Sequence, residues 1–204
     1  MDNTLHLLGI AQKAGRLEVG EEPVGAAARA RQARVILLAC DAAANTARRA
    51  GHFGEAGNLT YLRPNYAKVV ADVVKSLGGV PFLTDCNTLY PGRRKNALEH
   101  LDAAYENGFS PLSTGCQVII GDGLRGNDDV EVPVEGAEYI QTAKIGKAIM
   151  EADVIISLSH FKGHEQTGFG GAIKNLGMGC GSRRGKMEQH AQGKPMVAPR
   201  RCVG

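Results

Sequence analysis

The stretch PNYAKVVADVVKSLGGVPFLTD, residues 64–85, combines a helix and a buried strand around a two-glycine turn. Pro64 suits the first turn of a helix, and Gly78–Gly79 suits its end. Val80–Thr84 is apolar enough for a buried strand. The apolar residues between the proline and the glycines recur at helical spacing, which predicts an amphipathic helix. They are Tyr66, Val69, Val70, Val73, Val74 and Leu77.

The alternation of helix and strand continues towards the carboxyl terminus. Strands that alternate with crossover helices indicate an α/β fold, in which a mixed, mainly parallel sheet carries helices on both faces. A polar loop over Asp85–Gly92 separates two of the elements. The predicted elements are a helix over Lys95–Asn107, a strand over Gln117–Gly121, a hairpin of Val130–Val134 with Ala137–Thr142, a helix over Lys144–Ala152 and a buried strand over Val154–Leu158.

Composition excludes several classes of protein without choosing a function. The 204 residues are 43% hydrophobic and 22% charged, which is typical of a globular chain and not of a disordered one. The net charge of +3 is too small to indicate a nucleic-acid or membrane partner. The five cysteines lack CxxC spacing, and no apolar run approaches the ~20 residues of a membrane span. We therefore expect a cytoplasmic protein without a disulfide framework.

Polar residues follow the ends of two predicted strands. In open α/β sheets, ligands bind outside the carboxyl ends of the strands. Asp85 and Asp122 occupy such ends, and Asn87 lies close to the first of them. The two carboxyl groups are candidates for an acid and base pair. Aspartates at strand ends also cap turns and helices, and this alternative stays open.

A third cluster follows Leu158 and combines histidines, lysines and glycines. His160 and His164 are candidates for acid–base catalysis or for contact with an anion, and metal ligation by this pair is a weaker alternative. Glycines before a helix leave backbone N–H groups free to face an anion, and lysines add positive charge. A tight turn with a solvated rim is the alternative. The candidate ligand-binding residues here are Lys162, Gly168, Gly170, Gly171 and Lys174.

The cysteines divide into three kinds. Cys40 and Cys116 read as small core residues, whereas Cys86 and Cys180 are candidates for reactive thiols. Cys202 differs from the other four. A bacterial ferredoxin motif has the spacing C-x2-C-x2-C, and its second cysteine would fall at position 205, beyond the 204 residues given. Alone, Cys202 cannot hold a cluster.

From about His52 to Gly204, the chain resembles a family of uncharacterised iron–sulfur centre proteins that is catalogued as a domain of unknown function. This resemblance implies a ferredoxin-like segment that binds [4Fe–4S] clusters and begins at Cys202. The resemblance thus implies a [4Fe–4S] cofactor in longer relatives. We expect no cluster in the present chain. The stretches that carry the resemblance are HFGEAGNLTYLRPNYAKVV, FLTDCNTLYPG, NALEHLDAAYENGF, IIGDGLRGND and LSHFKGHEQTGFGGAIKNLGMGCGSRRGKMEQH.

Residues 1–50 resemble a different family, a bacterial relative of the kink-turn RNA-binding ribosomal proteins. LLGIAQKAGRLEVGEEPV and ARVILLACDAAANTARRAG are similar to its first half and read as helix, helix, strand and helix. Where that family usually has Asn-Glu and a following Lys, this chain has Gly20–Glu21–Glu22–Pro23. Because acidic groups repel phosphate, RNA binding would depend on the basic residues nearby. These are Lys13, Arg29, Arg31 and Arg34.

The two resemblances predict two parts that meet near Ala50–Glu55. Residues 1–50 form a partial ribosomal-protein-like segment, and residues 51–204 form the α/β domain, truncated before its ferredoxin-like segment. A join of two unrelated pieces is the favoured explanation, and Val35–Ala39 would then replace a strand of the second family. The expected function is that of a redox-associated iron–sulfur protein of unknown reaction, with a small-molecule or anionic ligand and a redox partner. The alternative is an RNA-binding module fused to an inactive passenger.

Overall fold

The computed structural model describes residues 53–54, 61–138, 140–159, 162–164 and 168–190. The helices and strand predicted within residues 1–50 lie outside this part of the chain, as do Cys40 and Cys202.

The helix predicted after Pro64 is present as α1, Pro64–Ser76. Proline occupies its first turn, and the backbone leaves the helix through Leu77 and Gly78, whose φ of 86° favours glycine. The face that α1 buries differs from the one that its apolar spacing predicts. Its buried residues are Ala67, Ala71 and Val74, whereas Tyr66, Val69 and Val73 are exposed.

Two strands lie side by side in parallel, as the alternation of helix and strand predicts. β1 is Phe82–Asp85 and β2 is Gln117–Ile120, paired from Phe82 with Gln117 to Asp85 with Ile120. The connection between them carries two helices, α2 (Ala97–Glu106) and the single-turn α3 (Pro111–Thr114). Asn96 caps α2 because its side chain accepts hydrogen bonds from the N–H groups of Leu98 and Glu99.

The predicted hairpin after residue 129 is present with a later second strand. β3, Asp129–Pro133, pairs antiparallel with β4, Thr142–Gly146. Lys144 pairs with Glu131 in this ladder, so the next helix, α4, spans only Lys147–Met150. The prediction of a helix from Lys144 is therefore wrong at its start, because strand pairing extends to Gly146.

The remaining elements follow a segment that sequence reasoning assigned to a strand. Val154–Leu158 is not a strand, although Val154 is buried and Ile156 and Leu158 pack against the core. The elements after it are β5 (Lys162–His164), β6 (Gly168–Gly170), α5 (Ala172–Gly179) and α6 (Arg183–His190). β5 and β6 pair antiparallel. The α/β class is confirmed, with the described strands divided among three two-stranded sheets.

The main core lies between α1, the parallel strands and the end of α2. Phe53, Leu83 and Phe109 are almost fully buried there, and the rings of Phe53 and Phe109 lie 5.2 Å apart. The side-chain amide of Asn107 donates to the carbonyl of Phe53 at 3.0 Å, which fixes the chain where it enters the described part. Across the described ranges, no helix combines the length and the apolar character needed to cross a bilayer.

Candidate functional site

The ends of the two parallel strands bring together the three residues that the sequence places there. Asp85 is the last residue of β1, and Asp122 lies two residues beyond β2. The backbone N–H and the side-chain amide of Asn87 both donate to Asp122 Oδ1 at 2.9 Å. All three side chains are buried. They form part of one network at the carboxyl edge of the sheet.

Asp85 is surrounded by groups that the sequence analysis did not single out. Its Oδ2 lies 3.5 Å from Arg94 Nη1 and 3.3 Å from His100 Nε2, and its Oδ1 accepts from the N–H of Cys86 at 2.8 Å. The other ring nitrogen of His100 lies 3.4 Å from Asn87 Oδ1. Burial lowers the pKa of His100, although Asp85 acts in the opposite direction. Both nitrogens of this imidazole therefore face protein groups.

Both carboxylate oxygens of Asp122 accept hydrogen bonds from the protein. Oδ1 accepts the two hydrogen bonds from Asn87, and Oδ2 accepts one from the N–H of Arg183 at 2.8 Å, where α6 begins. Burial raises the pKa of Asp122, while these hydrogen bonds and Lys186 act against the rise. Asp122 thus caps α6 and supports the loop after β1, so the geometry favours the capping role over an acid and base pair.

α6 closes over the same edge of the sheet. Lys186 is buried, and its Nζ donates to the carbonyls of Cys86 at 3.1 Å and Asn87 at 2.8 Å. Arg183 Nε donates to the carbonyl of Thr88 at 3.1 Å. In the sequence, these residues belong to a cluster of basic side chains after Cys180, and that pattern does not indicate which of them are buried. The network therefore supports the loop after β1.

The described cysteines are small buried residues. Cys86 Sγ donates to the carbonyl of Cys180 at 3.6 Å. Burial raises the pKa of the Cys180 thiol to about 12 and raises that of Cys86 as well. A nucleophile or an iron ligand must be a thiolate, so neither side chain is prepared for that role. Cys116 is buried near Thr114. Within the described ranges, no three histidine, cysteine or carboxylate side chains are grouped to hold a metal, so these residues do not fit a cluster.

The glycine-rich cluster lies around the first turn of α5. Gly168 has φ of 76° and begins β6, and Gly170 ends that strand. Gly171 is the N-cap residue of the helix and provides no side-chain cap, and no cap from another described residue is seen. A methyl group added at Gly168 or at Gly171 would meet no atom of the described residues within 4 Å. Lys174 is half-buried in the first turn. The backbone of this turn is therefore accessible beside a lysine.

Asn175 fixes the first turn of α5 against the segment that precedes β5. Its side-chain nitrogen donates to Ser159 Oγ at 2.8 Å and to Ser157 Oγ at 2.9 Å, and it lies 3.3 Å from the carbonyl of Leu158. Asn175 is fully buried. The start of α5 is thus held in one position by a side chain that the sequence analysis passed over.

The structure does not bring all the predicted site residues into one cleft. Cys180, just beyond α5, contacts Cys86 at the strand-end network, whereas the first turn of α5 contacts Ser157 and Ser159. The two clusters therefore lie at opposite ends of α5. Lys162 and His164 are the first and last residues of β5, and His160 lies outside the described residues. So do Lys13, Arg29, Arg31 and Arg34.

The fold and these clusters define an α/β domain whose strand ends are filled by a buried polar network. Residues 51–199 match a family described as Domain of unknown function (DUF362), and the chain belongs to this family. A curated protein, the thylakoid-associated protein sll1697 of Synechocystis sp. (strain ATCC 27184 / PCC 6803 / Kazusa), is 27% identical to the chain over 124 residues. These residues are 61% of this chain and 34% of that protein, so the chain spans about a third of the length of this relative. No solved structure gave a significant match.

Proposed function

We propose that this chain is the ligand-binding part of a redox-associated iron–sulfur protein, and that it binds a small anion at the start of α5. The observation that carries the anion site is the first turn of α5, which no described side chain caps and which follows glycines whose Cβ positions meet no described atom. An anionic small molecule, carboxylate or phosphate, is the class of ligand that this site suits.

The physical argument is electrostatic. The first N–H groups of a helix have no partner within the helix, and the helix dipole places partial positive charge on them. An anion is the natural partner for such groups. Lys174 adds a positive charge in the same turn, and Asn175 limits the movement of that turn. A site held in position in this way loses little conformational entropy when the ligand binds.

The iron–sulfur part of the proposal rests on the resemblance of residues 52–204 and on Cys202. A cluster bound by a following segment would supply one-electron transfer. In this proposal the described residues bind and position the anion, and Cys86, Cys116 and Cys180 are not grouped as cluster ligands within the described ranges.

The experiment replaces Gly171 by Asp and measures binding of inorganic phosphate and of a small dicarboxylate by calorimetry. The position accepts a side chain because its Cβ would meet nothing within 4 Å and its φ of −159° is extended. Aspartate there supplies a cap and a negative charge, so Gly171→Asp is expected to keep or raise the melting temperature while binding is lost. Gly171→Asn is the matched control, because it caps the helix without a charge and should retain more affinity.

A second pair of variants tests the lysine. Lys174→Ala is expected to weaken anion binding about tenfold, the scale of one charge-assisted hydrogen bond. Lys147→Ala, at the start of the short helix α4, should leave it unchanged. Equal affinity of the native chain, Gly171→Asp and Lys174→Ala would show that the site is elsewhere. Loss of binding in Gly171→Asp with an intact melting profile would support the proposal.

A further inference from the structure

Within the described ranges, β1 pairs with another strand along one edge only. The carbonyl of Asp85 accepts from the N–H of Gly121 at 2.9 Å, so the backbone groups of Asp85 face β2. Successive residues of a strand direct these groups to opposite edges, so the N–H and C=O of Thr84 face away from β2. Thr84 is fully buried, and its backbone groups have no hydrogen-bond partner in the described part of the chain. Because buried backbone groups are almost always paired, we expect a further strand along this edge.

The segment Val154–Leu158 packs on two sides as a strand does, although no described strand pairs with it. Ile156 and Leu158 pack against the main core. Ile155 packs instead against a second cluster, which contains Cys86. This alternation has the period of two that is typical of strands. No backbone–backbone hydrogen bond joins the segment to another described residue, so its backbone also needs a neighbour.

The path of the chain indicates that one strand serves both of these edges. Ala104 of α2 belongs to the same cluster as Ala67 and Ala71 of α1, so the two helices lie on one face of the sheet. Crossovers between parallel strands are almost always right-handed, so a strand that precedes α1 lies on the side of β1 opposite to β2. The chain returns from β2 through α4, whose Ile149 belongs to the second cluster on the other face. The same rule therefore carries Val154–Leu158 past β1 to that side, with one strand position between them.

The described part of the chain begins at the carboxyl edge of this sheet. The ring of Phe53 lies 5.8 Å from that of His100, whose Nε2 lies 3.3 Å from Asp85, the last residue of β1. A parallel strand that precedes α1 ends at the same edge. Before Phe53, Val35–Ala39 is a continuous apolar run, as expected for a strand that is covered on both faces. Residues 40–52 span up to about 40 Å when extended, which is enough to join this run to Phe53.

We propose that Val35–Ala39 is a strand that lies parallel to β1, between β1 and Val154–Leu158. Its backbone then supplies hydrogen-bond partners to Thr84 on one side and to Val154–Leu158 on the other. α1 becomes the crossover helix of a β-α-β unit. The run and the α/β domain therefore share one sheet and unfold together, so the sequence before residue 51 is not a separate part.

The first test uses NMR spectra of the full native chain and therefore needs no substitution. We expect cross-peaks between backbone protons of residues 35–39 and those of residues 82–85, and a second set between residues 35–39 and 154–158. Samples that mix labelled and unlabelled protein distinguish contacts within one chain from contacts between copies. The absence of both sets overturns the proposal. Contacts found only between copies also overturn it, because a second copy would then supply the strand.

Hydrogen exchange on the full chain tests whether the run and the domain unfold together. Leu37→Ala removes a large side chain from the centre of the run, and it should speed exchange of the amides of residues 82–85 and 154–158 at least about tenfold. Leu112→Ala is the matched control and should leave these rates unchanged, because Leu112 is 99% exposed. Equal rates in the native chain and in Leu37→Ala would show that another segment lies beside β1, which overturns the proposal.

Discussion

Two fully buried threonines differ in whether their hydroxyl groups are hydrogen-bonded. Thr84 lies within β1, and its Oγ1 has no hydrogen-bond partner in the described part of the chain. Thr114 ends α3, and its Oγ1 donates to the carbonyl of Ser110 at 2.7 Å. A hydroxyl that loses its hydrogen bonds to water without replacement costs stability, so the same substitution should have opposite effects at these two positions.

Thr84→Val is expected to raise the free energy of unfolding by about 1 kcal/mol, because it removes an unsatisfied hydroxyl group at nearly constant volume. Thr114→Val is the matched control and should lower the free energy of unfolding by about 1 kcal/mol. Urea denaturation followed by circular dichroism measures both changes. A loss of stability in Thr84→Val would mean that the hydroxyl has a partner, such as an ordered water molecule.

At the scale of elements, α6 packs against β4 so closely that only glycine fits between them. A Cβ atom at Gly185 would lie 2.6 Å from the carbonyl oxygen of Lys144. Ser182 adds to this contact, because its N–H donates to the same carbonyl at 2.9 Å and its hydroxyl donates to Asp129 at 2.7 Å. The start of α6 is therefore fixed to the hairpin as well as to the strand-end network.

Gly185→Ala should lower the free energy of unfolding by about 2 kcal/mol, the scale of overpacking in a core. In an ordinary helix interior, replacing glycine by alanine raises the free energy of unfolding. A decrease for Gly185→Ala would therefore support the close contact between α6 and β4. Gly171→Ala, where the added methyl group meets nothing within 4 Å, should shift the free energy of unfolding by less than about 0.5 kcal/mol. Stabilisation of the chain by Gly185→Ala would show that α6 is not packed as described.

The sequence predicts which residues form helices and strands better than it predicts which side of each element is buried. Pattern and end signals identify α1, α2, β1 and β2, because periodicity and capping residues are local properties. The buried face of α1 is not local, since both of its sides carry apolar residues and tertiary packing selects the alanines. Val154–Leu158 is apolar because it packs on the core, and its spacing does not reveal that it has no strand partner within the described ranges.

At the scale of the whole molecule, the buried network makes stability depend on pH. Burial lowers the pKa of His100, so the folded chain holds this proton less readily than the unfolded chain. Asp85, Arg94 and Lys186 face the ring, and the carboxylate of Asp85 only partly offsets the burial. The pKa of Asp122 is raised, so the contribution of this group to the free energy of unfolding is present at low pH and is lost as the pH rises.

The stability contributed by neutral His100 is present above the ordinary histidine pKa of about 6.5, and is lost as the pH falls towards its lowered folded value. We therefore expect the free energy of unfolding to decrease as the pH falls below about 6.5. His100→Gln should flatten this dependence, whereas His190→Gln, at the exposed end of α6, should not. Denaturation curves at several pH values measure the slope. Identical slopes for the native chain and His100→Gln would contradict the assignment.

The candidate site was predictable in its location and only partly in its members. Asp85, Asn87 and Asp122 can be identified from the sequence because they directly follow apolar runs that form strands. Ligands in open α/β sheets bind at the carboxyl ends of such strands. Arg94 and His100 come from the loop after β1 and from α2, and Lys186 comes from a helix a hundred residues after Cys86. No spacing links such distant residues, and a buried lysine looks the same in the sequence as an exposed one.

The position of α6 also has a consequence for the order in which the chain is made. Lys186 contacts the loop after β1, and Arg183 contacts Asp122, across separations of 100 and 61 residues. Synthesis proceeds from the amino terminus, so β1 and β2 leave the ribosome well before the residues that fill their edge. Until then, Asp122 Oδ2 and the carbonyls of Cys86 and Asn87 lack the partners that α6 provides. The edge of the parallel strands is thus completed only after α6, the last described helix, has been made.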